Sequence, residues 1–104
     1  MPEIIAGIIW DDGNRDHCQK HGVALADIDA ALRSPLYVVG DPGHSQTEHR
    51  LRAIGRTASG RHIFLVYTLR KADEQTYIRP ISARFMHRRE IEAYEQAISA
   101  ARHG

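Results

Sequence analysis

The chain has 104 residues, a formal net charge of +1 and one cysteine. This length accommodates one domain with an ordinary apolar core, and no apolar run is long enough to span a bilayer. Since one cysteine cannot form a disulfide within the chain, a reducing compartment is indicated. The N-terminus has neither a basic region nor a small-residue cleavage site, so no signal peptide is predicted and the expected location is the cytoplasm.

The first part of the chain predicts one strand and two short helices. Residues 4–10 are mostly apolar and β-branched, which favours a strand. Residues 14–20 are expected to form a helix that ends at Gly22. Residues 24–33 carry apolar side chains at helical spacing and stop just before Pro35, because the residue that precedes a proline avoids the helical region.

The second part predicts four strands and a final helix. Residues 36–39 and 50–57 are expected to be strands. Residues 62–70 contain the longest run of apolar β-formers, so this strand is expected at the centre of the sheet. Residues 76–85 form the last strand, and residues 87–102 form a helix with one apolar stripe.

These elements predict a single α+β domain, with a mostly antiparallel sheet of about four to five strands, short N-terminal helices and a C-terminal helix. Short polar turns favour an antiparallel meander, in which Pro80 indicates an edge position or a bulge. The helices are expected to cover one face of the sheet and to leave the other partly exposed.

Arginines are concentrated in the second half of the chain, at Arg50, Arg52, Arg56, Arg61, Arg70, Arg79, Arg84, Arg88 and Arg89. If they gather on the exposed face of the sheet, that face would attract the phosphates of a single-stranded polynucleotide. The alternative is that they are ordinary solvated charges on strands and loops.

A first group of candidate residues lies in the first predicted helix. Asn14, His17 and His21 share one face of a helix that continues through residue 21, because positions three and four apart are neighbours. Two histidines one turn apart can bind a metal if carboxylates complete the site, and the local candidates are Asp11, Asp12 and Asp16. The other interpretations are helix capping, contact with a substrate phosphate or base, and a thiol nucleophile at Cys18, for which the sequence supplies no activating environment.

A second group lies on the last two strands. Arg70 ends one strand and Arg84 approaches the end of the next, so the register decides whether they meet. The two-residue period of a strand places Arg84 and Ser82 on one face and Arg79 on the other. Arginine suits phosphate recognition because its planar fork donates two parallel hydrogen bonds. The alternative is a salt bridge to the last helix, through Glu90, Glu92 or Glu95.

A third group is the polar segment 44–50. Glu48 or His49 is a candidate general base, because RNA cleavage requires removal of a proton from the ribose 2′-hydroxyl. The more common interpretation of such a segment is an exposed loop with no catalytic role.

Several short motifs follow one another along most of the chain, namely Trp10-Asp11, Lys20-His21-Gly22-Val23, Ile54-Gly55-Arg56-Thr57, Leu65-Val66-Tyr67-Thr68-Leu69-Arg70, Ile78-Arg79-Pro80-Ile81-Ser82-Ala83-Arg84, and Glu90 with Tyr94. This ordered set resembles the BrnT family of toxins, the toxin half of a bacterial type II toxin–antitoxin pair. The sequence resembles a variant branch of the family with Asn14 and His17, because Gly13-Asn14 stands where a lysine often follows Trp-Asp.

The resemblance implies a RelE-like fold and a ribonuclease that blocks translation without a cofactor or metal. It also implies a small ribbon-helix-helix antitoxin as partner, with operator DNA bound only through that antitoxin and no membrane partner. The site residues that it implies fall into two groups. The catalytic candidates are Arg70, Arg84 and His21, and the RNA-binding candidates are Lys20, Arg56 and Arg79.

Two other functions are compatible with the sequence. A module of the same fold could bind RNA or an antitoxin without cutting, since no clear acid–base pair is evident. A metal-dependent hydrolase built on His17 and His21 would need additional carboxylate ligands.

Overall fold

The computed structural model describes residues 4–39 and 50–103. These residues form a five-stranded sheet in the order β1-β5-β4-β3-β2, together with three helices, and this confirms the predicted α+β class. None of the helices in these two ranges is long and apolar enough to cross a membrane. The elements are, in chain order, β1 Ile5–Ile8, α1 Asp12–Cys18, α2 Leu25–Arg33, β2 Tyr37–Val39, β3 Arg50–Arg56, β4 His62–Ala72, β5 Gln75–Phe85 and α3 Arg88–His103.

The strand β4 lies at the centre of the sheet, as its apolar run predicts. It pairs with β3 on one side and β5 on the other, and both pairs are antiparallel. The meander is incomplete, because β1 pairs with β5 in parallel at the far edge. A parallel neighbour needs a crossover connection, so the chain cannot join β1 and β5 through a hairpin.

The core lies between one face of the sheet and the helices α1 and α2. Ile63 and Leu65 of β4 are buried there against Ile28 of α2 and Cys18 of α1. Burial of a large apolar side chain stabilises the fold by about 1.5–3 kcal/mol, so this face holds most of the hydrophobic stabilisation. We call it the core face.

The strand β3 approaches α2 closely at one glycine. A Cβ atom at Gly55 would lie 2.6 Å from the carbonyl oxygen of Ala31 and 3.0 Å from the Leu36 side chain. The absence of a side chain at this position therefore allows the end of α2 to lie directly on the sheet.

The helix α3 lies on the opposite face, so the expectation that all helices cover one face is wrong. Tyr94 of α3 makes edge-to-face contacts with His62 of β4 and Tyr37 of β2, with ring centroids 5.5 and 5.3 Å apart. His62 precedes the buried Ile63 and therefore points away from the core face. An ion pair between Arg84 and Glu90 holds the first turn of α3 to the same face.

Away from α3, this second face is bordered by α1 at the β5 edge of the sheet, and we call it the open face. It is formed, according to strand register and alternation, by Arg50, Arg52, Val66, Thr68, Arg70, Tyr77, Arg79 and Ser82. Four of these eight residues are arginines, so the open face is strongly basic.

A β-bulge in β5 determines which arginines reach the open face. Val66 pairs with Ser82 and the next residue of β4 pairs with Pro80, so Ile81 is an extra residue in the ladder. The inserted residue reverses the alternation, and Arg79 and Arg84 therefore share one face. The bulge indicated by Pro80 is confirmed, whereas the prediction that Arg79 takes the opposite face from Arg84 is wrong.

Candidate functional site

A row of three side chains crosses the open face. Arg50 of β3 pairs with Thr68 of β4, which pairs with Arg79 of β5. Neighbouring strands are about 4.8 Å apart, so the two arginines start from backbone positions roughly 10 Å apart with the threonine between them. The Thr68 hydroxyl is buried and has no hydrogen-bond partner among the described residues. The two guanidinium groups of this row form a suitable site for a phosphate, whereas the buried hydroxyl lies beneath it.

A groove connects this row to the first helix. Its volume is about 410 Å³, and its lining is Gly13, Asn14, His17, Arg50, Arg79 and Ile81. The groove brings an imidazole on α1 to the same concavity as two arginines of the sheet. An ionisable group beside cationic phosphate ligands is the combination that acid–base cleavage of a phosphodiester requires.

The position of α1 is fixed by its N-terminal cap. The Asp11 side chain accepts a hydrogen bond from the Asn14 backbone N–H (2.9 Å), and the Asn14 side chain accepts one from the Asp11 backbone N–H (2.8 Å). This reciprocal pair is a capping box. The capping interpretation of Asn14 is therefore confirmed.

Asn14 also joins α1 to the sheet. Its amide nitrogen Nδ2 donates to the carbonyl oxygens of Ile9 (2.8 Å) and Pro80 (3.1 Å). The paired part of β1 ends opposite Ile78, so Asn14 satisfies a carbonyl of β5 just beyond the last residue that β1 reaches. With 3% of its surface exposed, Asn14 is a buried structural link beneath the groove.

Arg79 is held from the side of α1. Its Nη2 and Nε atoms donate to Asp11 Oδ2 at 3.1 and 3.3 Å, and Nη2 also lies 3.4 Å from Oδ1. The hydrogen bond from the Asn14 backbone lowers the pKa of Asp11, and the hydrogen bond and charge of Arg79 lower it further. Asp11 is therefore a carboxylate that contacts both sides of the groove.

Arg70 and Arg84 lie far apart on the second face. Arg70 pairs with Tyr77 and Arg84 pairs with Phe64, six residues away along β4, which corresponds to roughly 20 Å. The two arginines therefore cannot bind the same phosphate. Arg70 is exposed at the side of the open face next to the Thr68 row, and it forms no ion pair with the described residues.

Arg84 forms the salt bridge that the sequence left as an alternative. Its Nη1 and Nη2 atoms each donate to one oxygen of Glu90 at 2.7 Å, while the guanidinium carbon lies 4.8 Å from the centre of the Phe64 ring. Arg84 and the His87 backbone N–H lower the pKa of Glu90 to about 2. The fork of Arg84 is thus occupied by the first turn of α3.

Lys20 and His21 lie in the turn that follows α1, and both are exposed. The helix ends at Cys18 rather than at residue 20, so His21 does not share a helical face with Asn14 and His17 as expected. Gly22 ends the segment with a positive φ of 84°, as predicted.

Arg56 lies at the α3 end of the sheet, away from the groove. It pairs with His62 in the sheet register. Burial lowers the pKa of His62, and the charge of Arg56 lowers it further. Arg56 is exposed and therefore accessible to a polyanion that continues past α3.

The metal and thiol interpretations receive no geometric support. Within residues 4–39 and 50–103, no group of three or more His, Cys, Asp or Glu side chains is placed to hold a metal ion. Cys18 is buried in the core, and burial raises the pKa of its thiol to about 11. A thiol with this pKa is protonated at neutral pH and is a poor nucleophile. The candidate bases Glu48 and His49 lie outside the described residues.

The structure adds Arg50 and Asp11 to the candidate site, and it favours His17 over His21 as the imidazole in the groove. The two-residue period of a strand places Arg50 and Arg52 on the same face and can be read from the sequence. The alignment of Arg50 with Thr68 and Arg79 depends on the sheet register, which only the structure shows. No local signal in the sequence connects Asp11 to Arg79, because 68 residues separate them.

Comparison with known proteins identifies the family. The family model described as "Ribonuclease toxin, BrnT, of type II toxin-antitoxin system" matches residues 10–90. A comparison with curated proteins gave no match. The matched segment covers most of the chain, from the residue before Asp11 through the partner of Arg84, and therefore includes both sides of the groove. The chain belongs to the BrnT family of ribonuclease toxins of type II toxin–antitoxin systems.

Proposed function

We propose that this protein is a metal-independent endoribonuclease whose active site is the groove between α1 and the open face. The observation that supports this proposal is the convergence of His17, Arg50 and Arg79 on one groove. The ribose 2′-hydroxyl would attack the adjacent phosphorus, and the 5′-oxygen of the next nucleotide would leave. The products are a 2′,3′-cyclic phosphate and a 5′-hydroxyl, so no water or external nucleophile enters this step.

His17 is the proposed proton-transfer group. It is exposed, it lies on the wall of the groove formed by α1, and histidine is the side chain suited to proton transfer near neutral pH. His21 and Lys20 lie in the turn just beyond α1, where they can contact the RNA or exchange a proton with it.

The arginines are the proposed phosphate ligands. Arg79 and Arg50 would hold the scissile phosphate and stabilise the charge that develops on it, with Thr68 between them. Arg70 lies one row further along β4, about 7 Å away, and would bind a neighbouring phosphate. Arg84 can bind a phosphate only after its guanidinium group separates from Glu90.

The open face is the proposed path of the RNA. Its arginines follow three adjacent strands, and Tyr77 supplies an aromatic ring beside Arg70. A basic surface with an aromatic platform suits single-stranded RNA, since stacking on an unpaired base adds to backbone contacts. Arg56 lies where a longer RNA could continue past α3.

We also propose that a small ribbon-helix-helix antitoxin neutralises the protein in the cytoplasm and that the complex contacts operator DNA through the antitoxin. Membership of a toxin–antitoxin family supports an antitoxin and an RNA target.

A non-catalytic RNA-binding module is the second candidate. The observation in its favour is that Arg79 and Arg84, two of the proposed phosphate ligands, are paired with Asp11 and Glu90 in this structure. Such a module would bind RNA through the open face and leave it uncut.

Expression of the protein alone in bacteria tests the proposal. Wild-type protein is expected to stop growth and to degrade RNA, whereas His17→Ala and Arg79→Ala should be folded and inactive. His87→Ala and Arg88→Ala are matched controls, because both residues are exposed near the start of α3 and away from the groove. A wild-type protein that is expressed and folded but leaves RNA intact would favour the binding module.

An Arg70→Ala, Arg84→Ala double variant tests the two arginines implied by the family resemblance. Because Arg70 and Arg84 lie at opposite ends of the second face, the two single variants should be measured as well, and we expect them to affect RNA binding differently. Arg70→Ala should weaken RNA binding and reduce its salt dependence by about one phosphate contact, whereas Arg84→Ala should mainly loosen α3.

A further inference from the structure

One carboxylate connects the two walls of the proposed active site. Asp11 Oδ1 accepts from the backbone N–H of Asn14, at the start of the helix that carries His17. Asp11 Oδ2 accepts from Nη2 and Nε of Arg79, which lies on the strand side. His17 and Arg79 belong to elements that are far apart in sequence, and Asp11 contacts the first turn of one and the side chain of the other.

We propose that Asp11 is a positioning residue that holds Arg79 in a fixed relation to His17, without itself contacting the RNA. This inference rests on the proposed function of the groove. The Arg79 side chain lines the groove and keeps 28% of its surface exposed while it is bound to Asp11, so a ligand in the groove can still contact it. A small displacement of a catalytic group reduces the rate strongly, by roughly 10²-fold for about 1 Å.

Asp11 has two roles that are chemically separable. It caps α1, and it holds the guanidinium of Arg79, a contact that we call the clamp. Serine and asparagine cap helices about as well as aspartate does. Only a carboxylate accepts two charge-assisted hydrogen bonds from a guanidinium, and a serine hydroxyl is too short to replace the distal oxygen. Asp11→Ser therefore keeps the cap of α1 and removes the contact with Arg79.

The charge of Asp11 gives this role a distinctive signature. A negative charge next to a basic groove opposes the approach of RNA, so its removal should strengthen binding or leave it unchanged. The same substitution frees Arg79 to adopt other rotamers and should slow the chemical step. The affinity is thus expected to rise or stay the same while the rate falls, a combination that simple loss of structure would not produce.

The experiment compares purified wild type, Asp11→Ser, Asp11→Asn and the control Asp12→Ser. Asp12 is the adjacent exposed carboxylate in the first turn of α1, so its replacement removes the same charge without touching Arg79. Single-turnover cleavage of an RNA oligonucleotide gives the rate. Binding of the same sequence with 2′-deoxy sugars, which cannot be cleaved, gives the affinity.

We expect Asp11→Ser to retain its fold, to bind the deoxy probe at least as tightly as wild type and to cleave RNA at least tenfold more slowly. Asp11→Asn keeps the cap through its one amide oxygen and turns its NH2 group, a donor, towards the guanidinium of Arg79, so it should lose at least as much rate as Asp11→Ser. Asp12→Ser should show the same change in affinity with no loss of rate. A second readout is hydrogen exchange at Arg79 Nε, which should be slow in wild type and Asp12→Ser and fast in Asp11→Ser.

Two kinetic outcomes overturn the inference alone, and fast hydrogen exchange at Arg79 Nε in the wild type is a third. Either Asp11→Ser cleaves as fast as wild type, or its rate and affinity fall together in the same proportion. A wild-type protein that binds the probe and cuts no RNA refutes the proposed function, and with it the role of Asp11. Fast exchange at Arg79 Nε in the wild type would show that the clamp does not hold in solution.

Discussion

The substitution Asn14→Asp tests the link between α1 and the sheet. In the wild type, Asn14 Nδ2 donates to the carbonyl oxygens of Ile9 and Pro80, and the residue is buried. The aspartate has nearly the same shape, but its second oxygen cannot donate when ionised. It would therefore place a negative charge against two carbonyl oxygens, in place of two favourable hydrogen bonds.

The expected penalty depends on pH. Burial, the two carbonyls and the neighbouring Asp11 carboxylate all raise the folded-state pKa of the new carboxyl, while the nearby Arg79 opposes them. A carboxyl with a raised folded pKa is least destabilising below its unfolded pKa of about 3.9. Stability is lost as the pH rises above that value.

The magnitude follows from the contacts. An unpaired buried charge costs about 3–5 kcal/mol, and each unsatisfied buried carbonyl costs about 1–3 kcal/mol. We expect Asn14→Asp to lower the free energy of unfolding by about 5 kcal/mol at pH 7, the sum of the lower ends of these ranges, and by about 2 kcal/mol at pH 4, where the protonated carboxyl donates one hydrogen bond. At about 4–8 °C per kcal/mol, the melting temperature should fall by roughly 20 °C or more at neutral pH.

Thermal denaturation at the two pH values is the assay, and Asn14→Ala is the matched control. The alanine variant leaves the same carbonyls unpaired but introduces no charge, so its penalty relative to wild type should not change with pH. If the penalty of Asn14→Asp, like that of Asn14→Ala, is the same at pH 4 and at pH 7, the burial and hydrogen bonding assigned to Asn14 are incorrect.

Three further predictions concern packing, charge and RNA contact. Gly55→Ala forces a Cβ to within 2.6 Å of the Ala31 carbonyl, so denaturant unfolding should show a loss of about 1–3 kcal/mol, and a neutral result would contradict the close approach. Arg84 lowers the pKa of Glu90 to about 2, so the stabilisation by this carboxylate is complete above its unfolded pKa of about 4.3 and is lost as the pH falls towards 2. After allowance for solvent screening, the free energy of unfolding of the wild type should exceed that of Glu90→Gln by about 1 kcal/mol at pH 6. A difference of the same size at pH 2 would exclude the ion pair. Tyr77→Ala should weaken binding of single-stranded RNA about tenfold through lost stacking while Tyr77→Phe binds normally, and equal binding by all three proteins would remove Tyr77 from the RNA path.

The sequence predicted the elements of this fold better than their arrangement. The apolar run from residue 63 identified β4 as central, because only a strand buried between neighbours has so few polar positions. Helical spacing likewise located α2 to within one residue. These are local signals, and they depend on few long-range contacts.

The arrangement of the charged residues could not be predicted in the same way. Pro80 indicated that a bulge was possible, but only the pairing of β4 with β5 shows that the extra residue is Ile81 and that Arg79 therefore joins the open face. The side of the sheet covered by α3 depends on the Arg84–Glu90 pair and on contacts of Tyr94 with two strands. Such choices are made by tertiary contacts, which leave no periodic pattern in the sequence.

The candidate site shows the same limitation. The sequence allows His17 to be a metal ligand, a cap or a substrate contact, because it shows which residues neighbour His17 on a helix but not which strand faces it. The helix ends at Cys18, which removes His21 from that face, and the groove then joins His17 to Arg50 and Arg79.

Analysis of the ends left on cleaved RNA tests the central claim most directly. Purified wild-type protein, incubated with single-stranded RNA in the presence of a chelator, is expected to produce 2′,3′-cyclic phosphate and 5′-hydroxyl ends. His17→Ala should slow their formation by at least about 10², the lower end of the contribution of a general acid–base group, and His87→Ala should not. Uncut RNA, cleavage that requires an added divalent metal, or 5′-phosphate ends would contradict the account.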